Sequence, residues 1–119
     1  MRFFMYTLGD ENVPVPPPTP ELMAEMGAFM EEATKSGALV NTGGFAPSAL
    51  GAKVSLTDGT FSVTDGPFSE AKELIGGWAI VDAPSKEAAI DYAKRFLKIV
   101  GGGESYIRQV FGPEDGAPR

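Results

Sequence analysis

Residues 53–64 read KVSLTDGTFSVT and contain the strongest local fold signal in the chain, two alternating runs on either side of an Asp-Gly pair. Asp-Gly is a preferred pair for the two-residue loop of a β-hairpin. A loop at 58–59 pairs Thr57 with Thr60, and counting outward matches apolar with apolar and polar with polar residues. This register predicts a hairpin with one face inward and the other toward water, and it makes Asp58 a turn residue.

Upstream of the hairpin, the sequence predicts a strand, a connector, a helix and a second strand. Residues 2–8 (RFFMYTL) favour a central strand, and the four prolines of residues 9–18 exclude regular structure there. Thr19 is a helix N-cap before a row of apolar residues at helical spacing that ends at Gly37. A second strand begins at residue 38, and the glycines at 43–44 predict a bulge or a close backbone approach.

Downstream, the chain repeats the strand, helix, strand succession. Residues 69–73 favour one helical turn, and residues 76–82 (GGWAIVD) predict a buried strand. A second helix opens at residues 84–85 and ends at the glycines of 101–103, and residues 104–111 give a closing strand.

This order predicts an α+β fold, a ferredoxin-like βαββαβ core with an inserted β-hairpin. Two helices would cover one face of an antiparallel sheet, yet residues 2–8 carry apolar side chains toward both faces. We therefore expect a homodimer of the dimeric α/β-barrel type, in which the two sheets face each other. Residues 1–113 form one domain in this interpretation, and residues 114–119 form a polar tail.

Composition excludes several classes of function. The 119 residues include no cysteine and no histidine, which removes disulfides, thiolate nucleophiles, imidazole bases and the commonest metal ligands. The net charge of −6 is spread without basic clusters, so we expect no nucleic-acid partner. The apolar run at residues 3–6 is too short for a membrane span or a signal peptide, which indicates a cytoplasmic protein. No sequence pattern predicts a metal site or a cofactor.

The second Asp-Gly, in residues 64–68 (TDGPF), differs from the first. Pro67 lacks an N–H and restricts Gly66, so a second tight hairpin is excluded here. Asp65 is then either the start of an Asx-turn, bonded to its own backbone two residues on, or a carboxylate that serves a pocket. We take Asp65 as the candidate catalytic residue, an acid or base whose pKa burial would tune.

Five further residues are candidates for ligand binding, each with a structural alternative: Tyr6, Glu70, Lys72, Trp78 and Arg108. Tyr6 is either a packing residue whose hydroxyl is hydrogen-bonded or a partner of Asp65 in the site, and Glu70 and Lys72 are either site residues or solvated charges. Trp78, beside two glycines, fills a dimer core or floors a pocket. Arg108 lies mid-strand and needs an anionic partner, for which Asp65, Asp82 or a ligand anion would serve.

Residues 64–96, TDGPFSEAKELIGGWAIVDAPSKEAAIDYAKRF, strongly resemble the signature of the DGPF branch of the YCII-related family, a group of small, mostly bacterial proteins. The resemblance extends over nearly the whole chain, through Met5-Tyr6, the glycine-rich stretch after the first helix and residues 107–110. It implies a ferredoxin-like dimer with a cleft at the interface.

The resemblance implies less about function. The wider family resembles a set of presumed enzymes with a His–Asp pair, and its superfamily includes lactone isomerases and a dehydrochlorinase; other DGPF proteins resemble accessory partners of sigma factors. This chain has no histidine, so it lacks that pair. We expect a protein that binds or transforms a small organic molecule near the dimer interface by carboxylate acid–base chemistry. The alternative is a regulatory or interaction module without chemistry.

Overall fold

The computed structural model describes residues 1–9, 16–67 and 74–113. Three predicted segments fall outside these ranges. They are the helical turn at 69–73, residues 10–15 of the proline-rich connector and the tail at 114–119. The helices and strands within them are, in chain order, β1 (Arg2–Gly9), α1 (Pro20–Lys35), β2 (Leu39–Gly44), β3 (Ala52–Thr57), β4 (Thr60–Asp65), β5 (Leu74–Asp82), α2 (Lys86–Val100) and β6 (Tyr106–Gln109), with a single 3-10 turn at Ser48–Leu50.

Four strands form one antiparallel sheet in the order β2-β5-β1-β6, and β3 and β4 form a separate two-stranded sheet. Both helices lie on one face of the larger sheet, since α1 and α2 pack on each other and α2 contributes to the core beneath them. The mixed α+β class predicted from the sequence is confirmed, with two helices and antiparallel sheets. The opposite face of the four-stranded sheet, which we call the open face, carries no helix of the described chain.

The helix ends follow the predicted capping residues. The Thr19 hydroxyl accepts a hydrogen bond from the Leu22 N–H at 3.1 Å, and the Ser85 hydroxyl accepts one from the Ala88 N–H at 3.1 Å. At the end of α2, Gly101 has φ +89°, the left-handed conformation that glycine adopts without a steric penalty. Local sequence chemistry therefore fixes where each helix begins.

The core lies between α2 and the sheet. Among the described residues, the largest fully buried side chain is that of Phe3, which is 2% exposed and pairs with Val81 across the strands. Small alanines of α2, Ala89 and Ala93, let this helix approach the sheet closely. The core is compact but small, because α1 contributes only Ala33 to the fully buried set.

The hairpin register is confirmed pair by pair from Thr57 opposite Thr60 to Lys53 opposite Thr64, and Ala52 opposite Asp65 extends it. The expectation that its apolar face points inward is wrong. Its four large apolar side chains are 61–70% exposed. Strands β3 and β4 pack mainly on each other, and within the described residues neither makes extensive contact with a helix or with the four-stranded sheet.

Two smaller expectations also need correction. The bulge of β2 falls between Leu39 and Asn41 and not at the glycines, and Gly43 is instead approached by the Trp78 side chain. The closing strand β6 is shorter than predicted.

No helix in the described ranges is both long and apolar enough to cross a membrane.

A candidate ligand cavity and the open face of the sheet

A cavity of about 270 Å³ lies between α1, α2 and the sheet. Its wall is mostly apolar and comes from both helices and three strands. The wall residues on these elements include Met26, Phe29, Met30 and Ala33 of α1, Tyr92 and Phe96 of α2, and Met5, Thr7, Leu39, Thr42, Ala79 and Val81 of the sheet. The volume is close to the lower end of the range for small-molecule sites.

The cavity exists because α1 does not pack tightly on the sheet. Met26, Phe29 and Met30 follow at helical spacing on the inner side of α1, yet each is only half-buried. The row of apolar residues was visible in the sequence, but the gap behind it was not.

Arg95 of α2 ties the two helices together beside the cavity. Its guanidinium lies 4.8 Å from the ring centroid of Phe29 and 6.0 Å from that of Tyr92, and it forms an ion pair with Glu32 of α1. The rings of Phe29 and Tyr92 are themselves 6.2 Å apart. This cluster holds α1 against α2 while the inner side of α1 remains free of the sheet.

Two threonine hydroxyls supply polarity in the wall. The Thr42 hydroxyl donates to the Trp78 carbonyl at 2.9 Å, so its proton is already used. The Thr7 hydroxyl accepts from the Gly77 N–H at 3.2 Å. A hydroxyl that accepts one bond still has its own proton to donate. Thr7 therefore offers a ligand a hydrogen-bond donor, and sequence reasoning missed it because a strand threonine carries no distinguishing signal.

The local backbone explains the position of Thr7. The register of β1 against β5 shifts between Tyr6 and Leu8, where Gly76 and Gly77 lie opposite Thr7. A Cβ on Gly76 would lie 3.5 Å from the Thr7 hydroxyl oxygen, an ordinary contact. The double glycine thus belongs to a bulge beside the threonine hydroxyl.

Tyr6 and Trp78 are brought together by the fold. They are cross-strand partners, and both also border the cavity. Their rings belong to an aromatic cluster on the open face: Phe4 lies 5.6 Å from Tyr6 and 6.2 Å from Trp78, and Tyr106 stacks on Tyr6 at 5.5 Å. All four side chains of this aromatic cluster are only partly covered within the described chain.

Arg108 lies on the same open face, opposite Phe4 in the register. It is exposed, and the described ranges hold no ion pair to it. The alternative that Asp82 serves as its partner is wrong. Asp82 is paired with Arg2 at 2.9 Å, and this hydrogen bond lowers the pKa of the Asp82 carboxyl below its usual range.

Asp65 lies elsewhere, at the end of β4 in the hairpin, and does not line the cavity. The predicted Asx-turn is not formed, since two residues on stands Pro67, which has no N–H to donate. Within the described residues the carboxylate makes no hydrogen bond or ion pair. The candidates Glu70 and Lys72 lie outside the described ranges, and those ranges contain no cluster of acidic residues able to hold a metal ion.

Comparisons with known proteins place the chain in a family. The model of the YCII-related domain matches residues 1–107. An uncharacterised protein of Rhizobium meliloti (strain 1021) is 29% identical over 73 residues, which are 61% of this chain and 59% of that protein, so the match spans about three fifths of the relative.

A solved structure is also similar. It is a 5-chloro-2-hydroxyhydroquinone dehydrochlorinase from Burkholderia phenoliruptrix AC1100 in complex with 2,5-dihydroxybenzoquinone. The two are 17% identical, the alignment covers 98% of this chain and 100% of the other, and the TM-score is 0.46. Since the family model covers nearly all of the described strands and helices, this chain belongs to the YCII-related domain family.

Proposed function

We propose that this chain binds a small, largely apolar organic molecule with a hydrogen-bond acceptor in the cavity between α1, α2 and the sheet. The observation that carries the proposal is an apolar cavity of about 270 Å³ whose wall includes the Thr7 hydroxyl, which donates to no acceptor among the described residues. No Asp, Glu, Lys or Arg is among the described residues that line it. A neutral ring with one carbonyl or ether oxygen fits this chemistry better than an ion does.

Two probes of nearly the same shape test the proposal. Acetophenone has a carbonyl oxygen where α-methylstyrene has a methylene group, and both are small enough for the cavity. Isothermal titration calorimetry should show both binding, with acetophenone favoured by about fivefold because one hydrogen bond is gained. The Thr7→Val variant should lose that preference. Equal binding of both probes to the wild type would remove Thr7 from the proposal.

A second pair of variants tests the location. Met30→Trp places a larger side chain on the inner side of α1 and should abolish binding of both probes. Met23→Trp makes the same kind of change on the same helix at a residue that is 62% exposed, and it should leave binding unchanged. Loss of binding in both variants, or in neither, would contradict the cavity as the site.

Carboxylate acid–base chemistry by Asp65 stays a prediction within this proposal, as does assignment to the DGPF branch. Because Asp65 does not line the cavity of the described chain, catalysis there would require another copy or a ligand that extends to the hairpin. Asp65→Asn keeps the shape of the side chain and removes its charge. If Asp65 is catalytic, this variant should bind the probes normally and lose turnover of any substrate identified from them.

The ferredoxin-like core, the homodimer and the cytoplasmic location belong to the same proposal. The sheet order β2-β5-β1-β6, with both helices on one face, supports the ferredoxin-like core. The aromatic cluster on the open face, which an isolated chain leaves partly exposed, supports the homodimer. A light-scattering mass of 12.5 kDa at micromolar concentration, the mass of one chain, would contradict the dimer.

The alternative is a regulatory or interaction module. An apolar patch that remains exposed in the assembled protein would favour it, and the hairpin presents such a patch on the isolated chain. The choice therefore depends on what covers the hairpin.

A further inference from the structure

The β3–β4 hairpin has two chemically different faces. One face is formed by Lys53, Thr and Ser residues, and the other carries Val54, Leu56, Phe61 and Val63, which we call the arm face. These four side chains pair across the strands and are adjacent along them, so the arm face is one continuous apolar surface. Their exposures are 65%, 61%, 70% and 65%.

An isolated hairpin of this kind is marginal in water. Two strands without a third strand or a packed face rarely hold together by themselves. Here neither strand packs substantially on the rest of the described chain. The arm face therefore needs a cover that the described part of one chain does not provide.

The area of the arm face matches what a dimer requires. Taking about 150 Å² per side chain, the lower end of the range for aromatic residues because three of the four are aliphatic, the four at about two-thirds exposure together present roughly 400 Å². A symmetric dimer contains two arms, which present about 800 Å², and an equal area covered on the two receiving surfaces brings the total to about 1,600 Å², within the standard range for a specific interface. One chain thus holds enough apolar area for self-association.

The same chain also offers a receiving surface. The open face carries the aromatic cluster, of which Tyr106 lies on the edge strand β6 and is 38% exposed. Two copies that both carry −6 repel at long range, which favours contact through surfaces with little net charge. The arm face and the open face are both of this kind.

The few charges on these two surfaces are complementary. Asp65 lies opposite Ala52 and so shares the arm face with Val54 and Val63. On the open face Arg2 and Asp82 neutralise each other, which leaves Arg108. Within the described residues, neither Asp65 nor Arg108 has an ion pair.

We propose that the hairpin is an exchange arm: its arm face packs on the β6 side of the open face of a second copy, where Asp65 of one copy meets Arg108 of the other. This inference rests on the homodimer proposed above and is independent of the cavity. It gives Asp65 a partner that the described part of its own chain does not supply. It also assigns the exposed apolar patch to self-association and not to a different protein.

A charge-reversal exchange tests the contact between copies. In the Asp65→Lys homodimer two positive charges meet at each contact, and in the Arg108→Glu homodimer two negative charges meet. Sedimentation should therefore show that the dissociation constant of each variant dimer is raised by about a hundredfold or more. Mixing the two single variants creates two attractive contacts in the heterodimer. The mixture should therefore associate far more tightly than either variant alone. A contact within one chain would not be restored by mixing, so absence of rescue would overturn the proposal.

The apolar part of the contact is tested on the same hairpin. Phe61→Ser removes the largest side chain of the arm face, and Ser62→Thr changes its neighbour on the polar face. Phe61→Ser should raise the dissociation constant of the dimer by at least about tenfold, and Ser62→Thr should leave it unchanged. Circular dichroism confirms that both variants are folded.

Three outcomes separate the proposals. A monomeric wild-type protein overturns both the homodimer and the arm. A dimer that resists Phe61→Ser and both charge reversals, but dissociates in Tyr6→Ser, keeps the homodimer and overturns the arm. Acetophenone binding by the Phe61→Ser, Asp65→Lys and Arg108→Glu variants is measured alongside, because binding that persists in these variants shows that the cavity is independent of the arm.

Discussion

Replacing Gly66 by alanine should destabilise the protein because the position has no room for a side chain. A Cβ built there would lie 1.6 Å from the Ser48 carbonyl oxygen and 2.5 Å from the Ser48 carbonyl carbon. A carbon normally approaches a carbonyl oxygen no closer than about 3.3 Å, so the backbone must open by about 1.7 Å. The obstacle is backbone of the 3-10 turn, which cannot move aside as a flexible side chain would.

The cost can be bounded. Overpacking that shifts backbone costs about 1–3 kcal/mol, and Gly66→Ala also strains the hydrogen bond from the Gly66 N–H to the Gly51 carbonyl, 3.0 Å long. For a chain of this size, each kcal/mol corresponds to a change in Tm of about 3–6 °C. We expect calorimetry to show a Tm lowered by about 5–15 °C. Urea denaturation should show a free energy of unfolding that is lower by about 1–3 kcal/mol.

A glycine on the same chain provides the control. Gly27 lies inside α1, is exposed, and a Cβ added to it would have nothing within 4 Å. Gly27→Ala should stabilise the protein by up to about 1 kcal/mol because alanine is the better helix former. Hydrogen exchange measures the effect locally, because backbone amides of the hairpin should be less protected from exchange in Gly66→Ala than in the wild type. A Gly66→Ala protein within about 0.5 kcal/mol of the wild type would refute the steric argument.

Three further changes have defined outcomes. Gly43→Ala places a Cβ 3.0 Å from the Trp78 Cζ2, so the ring must shift and the emission of this single tryptophan should change; an unaltered spectrum would contradict the contact. Ser85→Ala removes the N-cap of α2 and should cost about 1 kcal/mol in urea denaturation, whereas no change would mean that another group caps the helix. The pKa of Asp82, followed by NMR, should lie below 3.8 and rise in Arg2→Gln. Because the folded-state pKa is depressed, this pair stabilises above the unfolded-state pKa, and the contribution disappears as pH falls through the folded-state value.

Local chemistry made much of the fold predictable. The capping residues and the Asp58-Gly59 loop act over a few positions, so their consequences can be counted along the chain. The register of the hairpin was correct at every predicted pair for this reason. Thr19 and Ser85 mark the helix starts for the same reason.

The cavity was not predictable in this way. Helical spacing identifies which side of α1 faces inward, but not how closely that side approaches the sheet. That distance depends on the sizes of side chains that meet from different elements, such as Phe29 and Tyr92. The donor role of Thr7 depends on a bulge whose position in the pairing of two distant strands no single segment specifies.

The face of the hairpin that would be covered was misjudged for a different reason. Alternation shows that one face is apolar, but it does not say whether the cover comes from the same chain or from another one. In the described chain Leu56 and Phe61 remain largely exposed. Under the exchange-arm proposal, a second copy covers this face, and the inward direction expected from the alternation would hold in the dimer and not in one copy.

The two residues of the Asp65-Gly66 pair now have different explanations. Gly66 is required by its own chain, because the Ser48 carbonyl occupies the space of a side chain. Asp65 has no such requirement, since its carboxylate makes no hydrogen bond or ion pair within the described residues and Pro67 has no N–H to donate to it. A carboxylate that the described part of its own fold does not use is free to act on something outside that fold. Arg108 of a second copy is the partner whose charge and surface fit, and the mixing of Asp65→Lys with Arg108→Glu distinguishes that partner from a ligand, because a ligand site would not be rebuilt by pairing the two variants.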